Sequence, residues 1–395
     1  MVFKRIRPHI VFTRRLLAAV WMGVCVLGMS CAAQAGSSGV LLHVLTWEGY
    51  TPADMVARFE REASEKYQQT VTLRIRYASH PDEYFESIRN DQADVIAPSH
   101  NILKDERYQL ISRQLILPIN TANIPNYRFL IPSLQYADYT TEKGQVYSVP
   151  LVHGPYELVY DADVVTDAPD SWAALWDERF HNQYAISYDY FEANIYIAAL
   201  SLGIPAERIA DMDTLHQHQI EQRLKDLVTH ARTMWLGVDR PDDLQGCAIA
   251  ASWGFPLAKL NQKRQHWKVA TPKEGVTGWL DGYALTRTLR DRPLHRHIAE
   301  DWINFSISKE YQYEVMVKQI GSAPVNTEVA SLLTPDEISQ YLLDQPDAFK
   351  SSRILWPTLN KRERNYFRKL WDDALGTRQP TPEAEPQADD QNNLP

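Results

Sequence analysis

Residues 40–50 read Val40-Leu41-Leu42-His43-Val44-Leu45-Thr46-Trp47-Glu48-Gly49-Tyr50, an apolar run of strand length that ends on aromatic and acidic residues. Met55, Val56 and Phe59 follow at helical spacing behind Thr51-Pro52, a good N-cap and first-turn pair. From Thr70 to Tyr77 the apolar Val71, Leu73 and Ile75 alternate with Thr70, Thr72 and Arg74, which predicts a strand with one buried face. Pro81–Arg89 suits a short helix, and Ala93–Ala97 is a compact apolar strand ending at Pro98-Ser99. Strand, helix, strand, helix, strand in about 60 residues predicts an α/β fold with a parallel sheet covered on both faces. Open sheets of this kind bind ligands at the carboxyl ends of their strands. Those ends are Thr46–Tyr50 and Pro98-Ser99-His100-Asn101, which makes them the first candidate site.

Outward from that core the pattern continues less regularly. Val146–Pro150 and Glu157–Tyr160 read as separate strands, and Asp170–Asp177 as a helix start with Trp172 and Trp176 at i, i+4. Ala185–Tyr188 reads as a strand followed by a helix through Leu200, and Gln217–Thr233 as a polar-faced helix. Ala248–Ser252 is another short apolar strand ending on an aromatic, Trp253, while Pro293–Ser308 and Tyr311–Lys318 read as helices. From Gly376 onward there are four prolines, four acids, one arginine and no aromatic residue, the composition of a disordered tail over 376–395.

The 395 residues suggest two or three domains at roughly 150 each. With 44% hydrophobic and 23% charged residues, the composition is globular. The first 35 residues carry Lys4, Arg5, Arg7, Arg14 and Arg15 and no acid. They read as an export signal: a basic stretch, the apolar run Leu16–Met29, then Ala33-Gln34-Ala35 for cleavage after Ala35. The apolar run is 14 residues long, short of the roughly 20 a membrane span needs. Cys25 and Cys31 go with that segment, which leaves Cys247 as a lone buried thiol and predicts a periplasmic protein without disulfides. Beyond the signal, 36 basic residues face 50 acidic ones, a net −14. Such a body disfavours nucleic acid and suits cations.

No Gly-rich phosphate loop, nucleophile elbow or Cys/His zinc spacing occurs. His216-x-His218 and His295-x-His297 would point about 200° apart on a helix, so neither makes a metal face. No enzyme, metal or cofactor is expected. What stands out are aromatics and acids at strand ends: Trp47 with Tyr50, Asp189 with Glu192, Trp253, and Trp279 with Asp281. An elongated organic cation needs that combination. Carboxylates meet each ammonium in charge-assisted bonds of about 1.5–3 kcal/mol, and aromatic faces add about 0.5–2 kcal/mol each when desolvated.

From Leu41 to Leu375 the sequence resembles the bacterial periplasmic polyamine-binding proteins, the spermidine/putrescine receptors of ABC importers. The resemblance is carried by Leu45–Tyr50, Asp94–Ser99, Tyr147–Pro150, Ser171–Trp176, Pro272–Gly275 and Trp279–Asp281 in order and spacing. It implies a type II two-lobed fold with hinge-crossing strands: 36–150 plus 280–324 as one lobe, 151–279 plus 325–375 as the other. The resemblance also implies that Trp47, Tyr50, Trp253 and Trp279 box the polyamine carbons. Asp189, Glu192 and Asp281 would bind its amines, with Ser99 a polar contact from the first lobe. Four positions depart from the pattern. Gly49 replaces an acid, with Glu48 one place earlier, and Asn101 stands where an aromatic can occur. Ser322 stands where relatives often have tyrosine, and Pro357 replaces a glutamine near Trp356. The implied partner is an inner-membrane ABC permease. The same family includes sensory subunits that report to a membrane enzyme for cyclic dinucleotides, which is the alternative reading. A binding protein for another small molecule ranks third and an extracytoplasmic hydrolase last.

Overall fold

The computed structural model describes residues 39–217, 219–263, 265–350 and 355–377. The expected signal segment with Cys25 and Cys31, His218, and the tail beyond residue 377 lie outside the described residues.

Thirteen strands occur among the described residues: β1 Val40–Thr46, β2 Val71–Tyr77, β3 Val95–Ile96, β4 Ile116–Leu117, β5 Thr141–Glu142, β6 Gln145–Val146, β7 Val149–Asp161, β8 Tyr184–Ser187, β9 Thr233–Trp235, β10 Ile249–Ser252, β11 Trp267–Val269, β12 Thr277–Thr286 and β13 Ala323–Pro324. β5 and β6 pair with each other, and the other eleven join one network with the central order β2-β1-β3-β12-β7-β10-β8-β9. In one half β2, β1 and β3 run parallel and β12 closes the row antiparallel. The other half repeats the plan, with β9, β8 and β10 parallel and β7 antiparallel to β10.

β7 and β12 join the halves. The start of β7, Val149, pairs with Tyr283 near the end of β12, and Tyr156 pairs with Thr277 at its start. Beyond that overlap β12 continues to β3 and β4, while β7 continues to β10 and β11. β13 adds a short third connection beside Val152 and His153. The ladder slips by one residue between Asp281 and Gly282, opposite Pro150–Val152. A bulge is where a strand tolerates proline and where a side chain is re-aimed. The two strands expected over Val146–Pro150 and Glu157–Tyr160 are thus corrected to one 13-residue strand, Val149–Asp161, with Val146 in the separate β6.

Local chemistry explains most helices. Ala53–Tyr67 buries Met55, Phe59 and Ala63, one stripe at four-residue spacing, with Phe59 edge-on to Trp302 at 5.1 Å. Met55 and Phe59 each contribute about 1.5–3 kcal/mol on burial. Its N-cap is Pro52 without a side-chain bond; the expected cap, Thr51, instead donates its hydroxyl to Tyr77 at 3.4 Å. Trp172–Trp176 is a 3-10 turn capped by Ser171. The segment read as one helix over Gln217–Thr233 is helical over Ile220–His230, and Thr233 begins β9. A further helix, Lys361–Leu375, starts at a reciprocal cap between Asn360 and Glu363. It packs Phe367, Leu370, Trp371 and Ala374 against the helices Phe191–Ser201 and Ile220–His230.

Candidate functional site

The carboxyl ends of β1, β3 and β10 and the start of β12 converge on one cleft, lined by Trp47, Tyr50, Ser99, Tyr190, Trp253 and Phe255, with Trp279, Asp281 and Trp356. Six of the eight residues expected from the sequence meet there: Trp47, Tyr50, Ser99, Trp253, Trp279 and Asp281. Asp189 and Glu192 do not line it.

Asp281 is the buried acid of the cleft, 3% exposed and placed on β12 opposite the bulge that Leu151 makes in β7. The Tyr50 hydroxyl donates to its Oδ2 at 2.7 Å, and the Ser99 hydroxyl donates to its Oδ1 at 2.6 Å. Tyr50 and Ser99 belong to the loops after β1 and β3, so the two strand ends named first by the sequence both reach this carboxylate. Burial pushes the Asp281 carboxyl up to about 7, against the downward pull of those two hydroxyls. A carboxylate so desolvated holds its proton near neutrality and gains most from a neighbouring positive charge.

Aromatic rings form the walls. Trp47 stands edge-on to Tyr84 at 5.3 Å and tilted to Tyr190 at 6.4 Å. Trp253 touches Tyr156, Tyr190 and Trp356 with ring centroids 4.9, 5.0 and 5.6 Å apart, and meets Trp279 edge-on at 6.3 Å. Trp279 packs close against the facing strand because residue 154 is glycine: a Cβ there would stand 2.8 Å from its ring. Trp356 is fixed by three bonds. Its amide donates to Gly278 O at 3.0 Å and its indole to Thr277 Oγ1 at 2.8 Å, and its carbonyl accepts from His100 Nε2 at 2.8 Å. Burial lowers the His100 pKa to about 4, so that ring is neutral and its Nε2 carries the proton donated to the carbonyl. The free space between these walls is small, about 30 Å³.

The two absent acids act from behind. Asp189 takes the Gly237 amide at 3.0 Å and the Ser187 hydroxyl at 3.1 Å, while the Gly237 carbonyl accepts from the Trp253 indole at 3.2 Å. Asp189 thus holds the loop that holds Trp253. Glu192 faces Arg364 at 3.6 Å, and Arg364 also meets the buried Asp105 at 2.5 Å. Burial raises the Glu192 pKa even so, with Arg364 the nearest opposing charge. The expected carboxylate face of Asp189 and Glu192 is therefore spent on internal partners. Tyr190 between them, together with Phe255 and Trp356, are cleft residues the sequence reading did not single out. Tyr190 sits where the acids drew attention, and Phe255 lies just past Trp253.

Cys247 is buried and its thiol pushed up to about 11 by burial, fitting a packed, unreactive side chain. Among the described residues no three His, Cys, Asp or Glu side chains come together as metal ligands, and no helix is long and apolar enough to cross a membrane.

Two sheet halves joined by crossing strands, with a cleft at the join, define the two-lobed periplasmic binding protein class. The chain belongs to the family of bacterial extracellular solute-binding proteins, matched over residues 90–344. Over 384 residues it is 22% identical to the putrescine-binding periplasmic protein SpuD of Pseudomonas aeruginosa, covering 91% of this chain and 97% of that protein. Its fold is similar to that of the spermidine/putrescine ABC transporter substrate-binding protein PotD of Streptococcus pneumoniae, with TM-score 0.65, 15% identity, and 86% of this chain and all 100% of that chain covered. The TpPotD lipoprotein of Treponema pallidum is similar too, with TM-score 0.66, 16% identity and coverages of 86% and 99%. These relatives are binding proteins, not enzymes.

Proposed function

We propose that this chain is a periplasmic receptor that captures an organic amine of the polyamine class, spermidine or putrescine in type, by closing two lobes upon it. The lobes are taken as 36–150 plus 280–324 and 151–279 plus 325–375, with β7, β12 and β13 as the crossings. The observation that carries the reading is Asp281, a buried carboxylate braced by two hydroxyls inside walls of tryptophan and tyrosine. An ammonium placed there gains a charge-assisted bond, and its methylenes gain aromatic faces. Closure is selected because Trp47, Tyr50 and Ser99 from one half and Trp253 from the other contact the ligand together only in the closed form.

The closed form is then presented to an inner-membrane ABC permease, the partner that the relatives' names favour. An N-terminal signal ending at Ala35 would bring the chain to the periplasm, in keeping with the periplasmic relative. The test is calorimetric titration of protein refolded from denaturant, which frees it of carried-over ligand, with a panel of mono-, di- and triamines. Saturable binding of one amine at one site per chain supports the reading. An unchanged melting temperature and no heat with every amine would reject it.

A further inference from the structure

Beside the aromatic cleft lies a second acidic position that none of the roles above uses. Glu157 on β7 is paired across the ladder with Ser252 on β10, and the Ser252 hydroxyl donates to Asp239 Oδ2. Asp239 is 2% exposed, and among the described residues its Oδ1 has no hydrogen-bond partner. Glu157 has neither a donor nor a basic partner among the described residues. Its carboxylate comes close to the turn after Trp253 because residue 254 is glycine with φ +83°; a Cβ there would stand 2.7 Å from Glu157 Oε2.

Among the described residues, the charges that bear on these two carboxyls are acidic. The charged group that bears on Glu157 is Asp239, and the one that bears on Asp239 is Asp243. The other titratable groups in reach are the phenols of Tyr156 and Tyr341, whose pKa values these acids raise. Burial lifts both carboxyls to about 7. Asp239 also lines a groove of about 490 Å³ that shares Glu48, Val238 and Phe255 with the aromatic cleft. Arg240, Lys259 and Lys263 line the same groove. All three are exposed, and Arg240 leans to Glu48 at 3.5 Å.

We propose that Glu157 and Asp239 form a second cation subsite, which takes the far ammonium of a ligand whose near ammonium is held at Asp281. The inference rests on the reading of the aromatic cleft as an amine site and deepens it, by assigning a diammonium or longer ligand and the acids at its far end. An ammonium suits two carboxylates better than a divalent metal does. It needs three acceptors, whereas calcium takes six to eight oxygens. Asp189 and Glu192, the pair that spacing nominates for the far amine, are occupied internally.

The test compares α,ω-diaminoalkanes, from diaminopropane to diaminooctane, with the matching 1-aminoalkanes. Titrations at neutral pH in two buffers of different ionisation enthalpy count the protons released. The wild type should bind its best diamine at least about tenfold tighter than the matching monoamine, the worth of one charge-assisted bond. The diamine should also release more protons, because seating the second ammonium ionises carboxyls that are partly protonated beforehand. In Glu157→Gln the tenfold preference and the extra protons should both vanish while monoamine affinity is kept, and Asp239→Asn should repeat the result. If both variants keep the preference, the chain-length optimum and the proton release, the subsite is overturned although the cleft stands. If no amine binds the wild type, or Asp281→Asn binds all of them unchanged, the reading of the cleft falls and this inference with it.

Discussion

Replacing Asp281 by Asn separates binding from stability. The substitution keeps the shape and leaves an oxygen for one hydroxyl, while Ser99 or Tyr50 turns to accept from the new amide. What is lost is the negative charge. A hydrogen bond to a charged group contributes about 1.5–3 kcal/mol, so amine affinity should fall roughly 10- to 150-fold. Stability should move the other way. The carboxyl rises from its ordinary 3.8 to about 7 on folding, so the folded protein holds this proton more tightly than the unfolded chain. The associated stability is fully present below pH 4 and is lost as pH rises through about 7. Roughly three pH units correspond to roughly 4 kcal/mol, charged against the ligand-free protein by pH 8. The asparagine variant escapes that loss. Urea unfolding of ligand-free protein at pH 5 and pH 8 should show the wild type weakening and Asp281→Asn weakening less, with calorimetry reporting the lost affinity. A variant that binds amines as the wild type does, or is much the less stable of the two at pH 8, would refute the reasoning.

Trp253→Ala removes a ring packed on Tyr156, Tyr190, Trp235, Trp279 and Trp356, so about 3–5 kcal/mol of stability should go, together with most amine affinity; a loss under 1 kcal/mol in urea titration would mean the cluster is not packed as described. Arg364→Gln removes the cation shared by Asp105 and Glu192 while Asp105 keeps Arg107 at 3.1 Å, so it should cost about 1–3 kcal/mol, whereas Glu192→Gln should cost less because burial already favours the neutral acid; the reverse order in chemical denaturation would contradict the assigned pairing. Cys247 should resist thiol reagents at neutral pH in the folded protein and react fully in denaturant, since burial keeps its thiol protonated to about pH 11; rapid labelling of native protein would place the thiol at the surface.

The parallel half of the fold was legible because its cause is local. Val71, Leu73 and Ile75 alternate, and Met55 and Phe59 repeat at four, whatever the rest of the chain does. β7 was not legible as one strand, since its continuity past Pro150 depends on a bulge against β12, more than a hundred residues later in the chain. β9, three residues long, owes its existence to pairing with β8. The helix Lys361–Leu375 did carry a readable start, Asn360 with Glu363 three residues on, but its many charged residues hide the buried stripe Phe367, Leu370, Trp371 and Ala374. In the cleft, Trp47, Trp253 and Trp279 announced themselves because each sits at or beside a strand end. Trp356 reaches the same wall from a stretch with no periodicity of its own.

The acids make the sharper case. Asp189 and Glu192 have the spacing of a paired anion site, and spacing is all a sequence shows. Whether such a pair faces a ligand depends on which cations and amides arrive from elsewhere. Here the Gly237 amide reaches Asp189, and the helix Lys361–Leu375 brings Arg364 to Glu192. Glu157 and Asp239 lie far apart in the chain with nothing to link them until β7 and β10 pair, and among the described residues neither makes an ion pair with a basic side chain. A folded protein keeps a buried carboxylate either by neutralising it from within or by leaving it protonated until a charge comes from outside. Asp105, held between Arg107 and Arg364, meets the first condition and Asp281 and Asp239 the second. That division, and not residue spacing, marks which acids remain available to a cationic solute.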